Sequence, residues 1–295
     1  MTDQKETTAD EMKELLSDPK KAIQLDDFVS SHIKYFLEKA DLEHFPVQGA
    51  NIQNEDIAER IEKYEEVSKD LQIIVTLLAR WSDQEKLLLL EKIFDRLIEA
   101  ETGTSGLTVW LRMRWYPILL LLYATGIGAI AAKKYCFFGA LMMHQVEGNL
   151  TDNKRLPLVG ATFIFSGEIH DYFKLLPGLD RRYAARSERI FATLQPVFED
   201  LLFLGKSYDR LFDEFEIYSS LMCMDSTAHG WGPIGKFGWK YDRGEDSPFH
   251  QVAKQIEQGG DDSELLRAGC FNGSTERSLE LVESLRERLN KLGWW

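Results

Sequence analysis

Residues 115–132 read WYPILLLLYATGIGAIAA, an unbroken run without a charge, bracketed by Arg112 and Arg114 before it and by Lys133 and Lys134 after it. As a helix rising about 1.5 Å per residue the run is roughly 27 Å long, close to the hydrocarbon thickness of a bilayer. It is therefore either a membrane span or the buried axis of a helical domain. Trp115, Tyr116 and Tyr135 could serve as an interfacial belt, and Ala124, Gly126 and Gly128 would let a second helix approach closely. Against a span stand the basic residues at both ends, Pro117 near the start, and flanking amphipathic segments that need an apolar surface to cover. The balance favours a buried central helix.

Working outward, the 295 residues are 44% apolar and 28% charged, enough for one large or two ordinary domains with a real core. The net charge of −13 disfavours broad contact with nucleic-acid backbone or anionic lipid, because both need clustered Lys and Arg. Membrane association is accordingly not expected. The first residues, MTDQKETTADEMKELL, lack a basic segment followed by an apolar one, so no secretory signal is read there. Cys136, Cys223 and Cys270 are odd in number and widely spaced, which fits reduced core thiols in the cytoplasm better than a disulfide frame or a zinc site.

Helical periodicity recurs along the chain. Residues 22–39 place Ile23, Phe28, Ile33 and Phe36 among charges, and a loop with His44, Pro46 and Gly49 follows. Between residues 55 and 81, Ile57, Ile61, Tyr64, Leu71, Ile74, Val75 and Leu78 fall at three- and four-residue steps along one face, predicting one long helix. Ser82 and Glu85 have the spacing of a capping box for a helix over 83–101. Further helices are expected at 107–116, 161–176, 187–204 (bent at Pro196), 207–225, 249–258, 263–268 and 274–292. Residues 158–165 are the one plausible strand, and residues 230–248 are expected to be an ordered Gly-rich loop packed by its aromatics. No fixed-period repeat is present. The expected architecture is all-α: a polar tail or short helix over 1–21, then a multi-helix globular domain over 22–295 around the apolar helix, with a division conceivable near 148–160.

Candidate chemistry is sparse. Residues 230–236, GWGPIGK, spell the letters of a phosphate loop, but Phe237 stands where Ser or Thr would hold Mg²⁺ and a helix precedes where a strand is needed. Packing of aromatic rings against glycine is the preferred reading. Arg243 and His250 have the spacing used by HEPN-type ribonucleases, yet Gly244 and Pro248 between them break the helix those enzymes use. His144 with Glu147, and Glu168 with His170 and Asp171, do not reproduce the order or number of a two-helix carboxylate metal site. No metal or cofactor is expected. Glu62, Glu65, Glu66, Asp213 and Glu214 read as solvated helix faces. The chain contains no G-x-S-x-G, H-E-x-x-H or G-x-G-x-x-G.

The segment from Gly106 through Leu107, Thr108, Val109, Trp110, Leu111 and Arg112, followed by Tyr116-Pro117 and the run to Gly126, resembles a helical region found C-terminal to effector domains in bacterial anti-phage defence proteins, among them SIR2-like NAD hydrolases. Further segments of the same resemblance are LFDEFE at 211–216, WGPIGKFGW at 231–239, LLRAGCF at 265–271 and LGWW at 292–295. It implies a regulatory, sensing or assembly role beside an effector, and it carries no catalytic residues. Residues 1–24 are too few to hold an effector, so the effector is expected to be a separate protein or part of a longer chain. The expected function is thus a non-enzymatic subunit that contacts a protein effector or activator, of host or phage origin, with self-association left open. Trp231, Phe237, Trp239, Tyr241, Trp294 and Trp295 are the candidate partner contacts, since large aromatics anchor interfaces when exposed. Arg243 and His250, acting on RNA, or residues 115–132, acting on a membrane, are the alternatives.

Overall fold

The computed structural model describes residues 2–49, 52–81, 83, 86–101, 104–147, 155–227 and 230–292. Along these residues helical stretches interrupted by short breaks give α1 (Thr2–Ser17), α2 (Ala22–Lys39), α3 (Asn54–Val67), α4 (Lys69–Trp81), α5 (Leu87–Glu99), α6 (Thr108–Met113) and the apolar α7 (Trp115–Ala131). After α8 (Tyr135–Met142) comes a two-stranded antiparallel ribbon, β1 (Gln145–Glu147) with β2 (Arg155–Pro157), in which Val146 faces Leu156. Then follow α9 (Leu158–Gly167), α10 (Ala185–Leu202), α11 (Ser207–Ser226), α12 (Pro248–Gly259), α13 (Glu264–Arg267) and α14 (Thr275–Lys291). The architecture is all-α, as its periodicities predict.

Every residue of α7 from Trp115 to Ile130 is buried. Helices α3, α4, α9 and α11 surround it, so its apolar circumference is satisfied by protein and no side is left for lipid. Its small residues set how closely those neighbours approach. A Cβ on Gly128 would stand 3.0 Å from the Thr76 carbonyl of α4, and one on Gly126 would overlap the Phe215 ring of α11. Pro117 is the third residue of α7, where its missing N–H has no intrahelical partner to lose.

Several expectations are corrected. The long helix over 55–81 is two, α3 and α4: α3 ends at Val67, with Ser68 as its C-cap at φ −90° and ψ −2°, and α4 begins at Lys69. Residues 158–165 are helical: a short apolar run reads alike for a buried strand and a buried helix, and α9 is buried from Leu158 to Phe163. Of the two expectations for residues 1–21, a tail or a short helix, the described residues show a helix. In α1, Met12 is fully buried and Ala9 nearly so, and the helix packs on α4. The capping box at Ser82 and Glu85 and most of the conceivable division near 148–160 lie outside the described residues. One continuous apolar cluster joins Ala9 to Leu289.

Candidate anion-binding cavity

Helix α11 is unusual in burying three closely spaced carboxylates: Asp213, Glu214 and Glu216 are all under 4% exposed. Each is met by a partner from another element. Tyr135 donates to Glu214 at 2.6 Å, and Lys240, itself 2% exposed, bonds Asp213. Glu65 of α3 is buried likewise, accepting from Tyr116 at 2.7 Å, Arg189 at 2.8 Å and Thr193 at 3.1 Å. The expectation that Glu65, Asp213 and Glu214 are solvated is therefore wrong. These acids lie on buried faces of their helices, balanced by distant residues that spacing along one helix does not reveal.

Glu216 differs from the others because a cavity opens beside it. Tyr123 of α7 and Ser187 of α10 both donate to its Oε1, at 2.9 and 2.6 Å. Ser187 in turn accepts the Lys236 N–H at 2.9 Å, tying the loop to the carboxylate. Gly235 lies over the carboxyl group so closely that a Cβ there would overlap it. Glu216 Oε2 is buried and has no partner among the described residues. Burial pushes the Glu216 carboxyl up to about 7; Ser187 and Tyr123 oppose that rise, while nearby Asp213 adds to it.

The cavity encloses about 510 Å³, within the range of small-ligand sites. Its walls come from the start of α10, the 3₁₀ helix His170–Leu175, the 231–235 loop and the end of α14. In a protein of net charge −13 these walls are basic: His170, Lys174, Arg186, Arg288 and Lys291 all line the space. Lys174 and His170 share Asp171, at 2.7 and 3.3 Å. Arg186, Arg288 and Lys291 have no carboxylate ion pair among the described residues. Arg186 is buried and donates to the carbonyl and hydroxyl of Ser166; burial holds its pKa below the usual arginine value, with Tyr123 and Glu216 offsetting part of the cost. Arg288 donates through Nη2 to the Gly232 carbonyl at 3.1 Å, and its buried Nη1 has no partner among the described residues. Trp231 and Tyr183 stand at the cavity with 42% and 58% of their surface exposed.

The residues singled out in the sequence are distributed as follows. Trp231 lines the cavity and Trp239 is a surface residue, whereas Phe237 is fully buried and Tyr241 is buried against Phe249 and His250. Those two rings are core, so the contact surface expected of the loop is reduced to Trp231 and Trp239. Trp294 and Trp295 lie outside the described residues. Arg243 sits over the Trp239 ring at 4.8 Å, while His250 stacks on Tyr241 at 5.3 Å from the first turn of α12, and each is engaged with a different ring. Lys236, last of the phosphate-loop letters, turns inward to Asp209 at 2.6 Å and lies over Phe191 at 3.4 Å. His144 pairs with Asp95 at 2.7 Å and Glu168 with Arg112 at 3.1 Å. Among the described residues no group of three His, Cys, Asp or Glu is placed to hold a metal ion.

Tyr123, Arg186, Ser187, Glu216, Arg288 and Lys291 escaped sequence reasoning. The available signals were Arg288 and Lys291 one turn apart at the end of α14, and five acids on α11 with Arg210 as the helix's one cation. Compared with family models, with curated proteins and with solved structures, the chain shows no match.

Proposed function

We propose that this chain is a non-enzymatic regulatory subunit that binds a small anion in the Glu216 cavity and reports its occupancy to a protein partner. The carrying observation is Arg186, Arg288 and Lys291 in one cavity, none of them in an ion pair with a carboxylate among the described residues. Burying a guanidinium unpaired is expensive, and an anionic ligand repays that cost when it arrives. Ser187 is held between Glu216 and the Lys236 N–H, a bonding pattern that serves positioning more than nucleophilic attack. The resemblance of residues 106–126 to helical regions beside effector domains supports a sensing role in bacterial anti-phage defence, with a separate effector as partner. The free, buried thiols of Cys223 and Cys270 fit a cytoplasmic setting. Trp231 and Trp239 are the surface aromatics through which a partner would feel the loop.

Thermal unfolding tests the reading. Inorganic pyrophosphate should raise the melting temperature by a few degrees over sodium chloride at matched ionic strength, because a ligand that binds only the folded state stabilises it. Arg288→Met should abolish the rise. An equal response of the wild type to both salts would remove the basis for an anion site.

A further inference from the structure

We infer that the ligand of this cavity is a nucleoside monophosphate, an inference that rests on the anion-binding reading and specifies it. The charge balance of the wall sets the anion. Arg186, Arg288 and Lys291 carry three positive charges and Glu216, ionised above about pH 7, carries one negative charge, an excess of two. Lys174 and Asp171 cancel each other. A phosphate monoester carries about −1.5 to −2 near neutral pH, and the flat guanidinium of Arg288 at the cavity wall suits its oxygens.

The same cavity has two features besides its charge. Glu216 Oε2 is buried under Gly235 with no donor among the described residues, while Oε1 accepts from Tyr123 and Ser187, so the carboxylate at this wall is one hydrogen bond short. Trp231 lines the cavity with 42% of its surface exposed, and its backbone is anchored by a reciprocal pair of bonds with the Thr227 hydroxyl, both at 3.2 Å. An exposed indole beside an anion site offers a stacking surface for a flat ring, and every nucleobase has a π-face to lay on it. A nucleoside monophosphate supplies the dianion, the flat ring and the donors in one molecule, and a space of about 510 Å³ admits one. The loop that spells a phosphate motif thus serves the ligand through Trp231 and Gly235 rather than through Lys236, which points into the core.

Isothermal titration at pH 7.5 and constant ionic strength, using AMP, GMP, CMP, UMP, ribose 5-phosphate and inorganic pyrophosphate, tests this. At least one nucleotide should bind tenfold or more tightly than ribose 5-phosphate. Trp231→Ala should erase that preference while leaving ribose 5-phosphate unchanged, and Trp231→Phe should retain most of it. Trp231 is partly exposed, and a melting curve confirms that each variant folds. Nucleotides binding no better than ribose 5-phosphate would overturn the nucleoside assignment and leave the anion site standing. Failure of every phosphate compound, pyrophosphate included, would overturn both.

Discussion

Gly235 lies against the carboxyl group of Glu216 in space that any side chain would have to share with both carboxylate oxygens. The loop can approach α11 this closely only because the residue has no Cβ. Gly235→Ala should push the loop away from Glu216 and strain the Ser187 and Lys236 bonds. Overpacking of a fitted site typically costs about 1–3 kcal/mol. The melting temperature should fall by a few degrees, and the response to pyrophosphate should shrink with it. An alanine variant of unchanged stability and ligand response would show that the contact is slack.

Glu216 also gives the folded protein a pH signature. Its carboxyl is raised from 4.5 to about 7 in the native state, so between those values the native state holds a proton that the unfolded chain has lost. Stability from this group is full below about pH 4.5 and declines as pH rises through 7. Asp213, raised from 3.8 to about 6 by burial against the opposing pull of Lys240, acts in the same direction. Asp209, held below its ordinary value by Lys236 and Lys240 despite its burial, acts in the other, so the whole-protein profile mixes both signs. A difference measurement isolates Glu216. Glu216→Gln does not titrate, so relative to wild type it should gain on the order of 2 kcal/mol between pH 5 and pH 8. Urea unfolding at the two pH values reads this directly, and a pH-independent difference would place Glu216 in water.

The apolar helix was legible because a run without charges has only two homes, and its neighbours are amphipathic. The helices at 22–39 and 274–292 were legible because a single apolar face repeats long enough to be seen. The break at Ser68 was not, because the backbone bonds Ser68 to Tyr64 and Gln72 to Ser68 run on across it and the apolar spacing is undisturbed. Residues 145–147 and 155–157 form strands too short to show alternation. The cavity was invisible for a deeper reason. Tyr123, Arg186, Glu216 and Arg288 come from α7, α10, α11 and α14, and only the packing of those helices makes them neighbours.

The Glu65 cluster draws on two of the same helices and is a structural counterpart to the cavity. Arg189 donates to both carboxylate oxygens of Glu65, and Tyr116 and Thr193 share one of them, so α3, α7 and α10 are joined at one carboxylate. Burial and the Glu65 charge together raise the Tyr116 hydroxyl well above its usual value, keeping it a donor at every accessible pH. Glu65→Ala strands these donors and should cost about 3 kcal/mol in urea unfolding, toward the low end for breaking a buried pair because Arg189 keeps some access to water. Tyr116→Phe should cost about 1 kcal/mol. The double variant should cost less than the sum, since the phenylalanine ring brings no hydroxyl to strand.

Lys240 and Asp213 form the most deeply buried ion pair among the described residues, with side chains 2% and 1% exposed. Asp209 also accepts from Lys240, at 2.7 Å, but is half exposed and can turn to water. Lys240→Met therefore leaves Asp213 as the stranded group. Without its cation, the Asp213 carboxyl must rise further above the value of about 6 that burial already imposes. The variant should lose about 3–5 kcal/mol at pH 8, and distinctly less at pH 5, where Asp213 is protonated in the native state and no charge is abandoned. Adding Asp213→Asn to Lys240→Met should recover most of the loss at pH 8 and change little at pH 5. If the single variant is equally destabilised at both pH values, its cost comes from lost packing of the lysine stem and not from the charge.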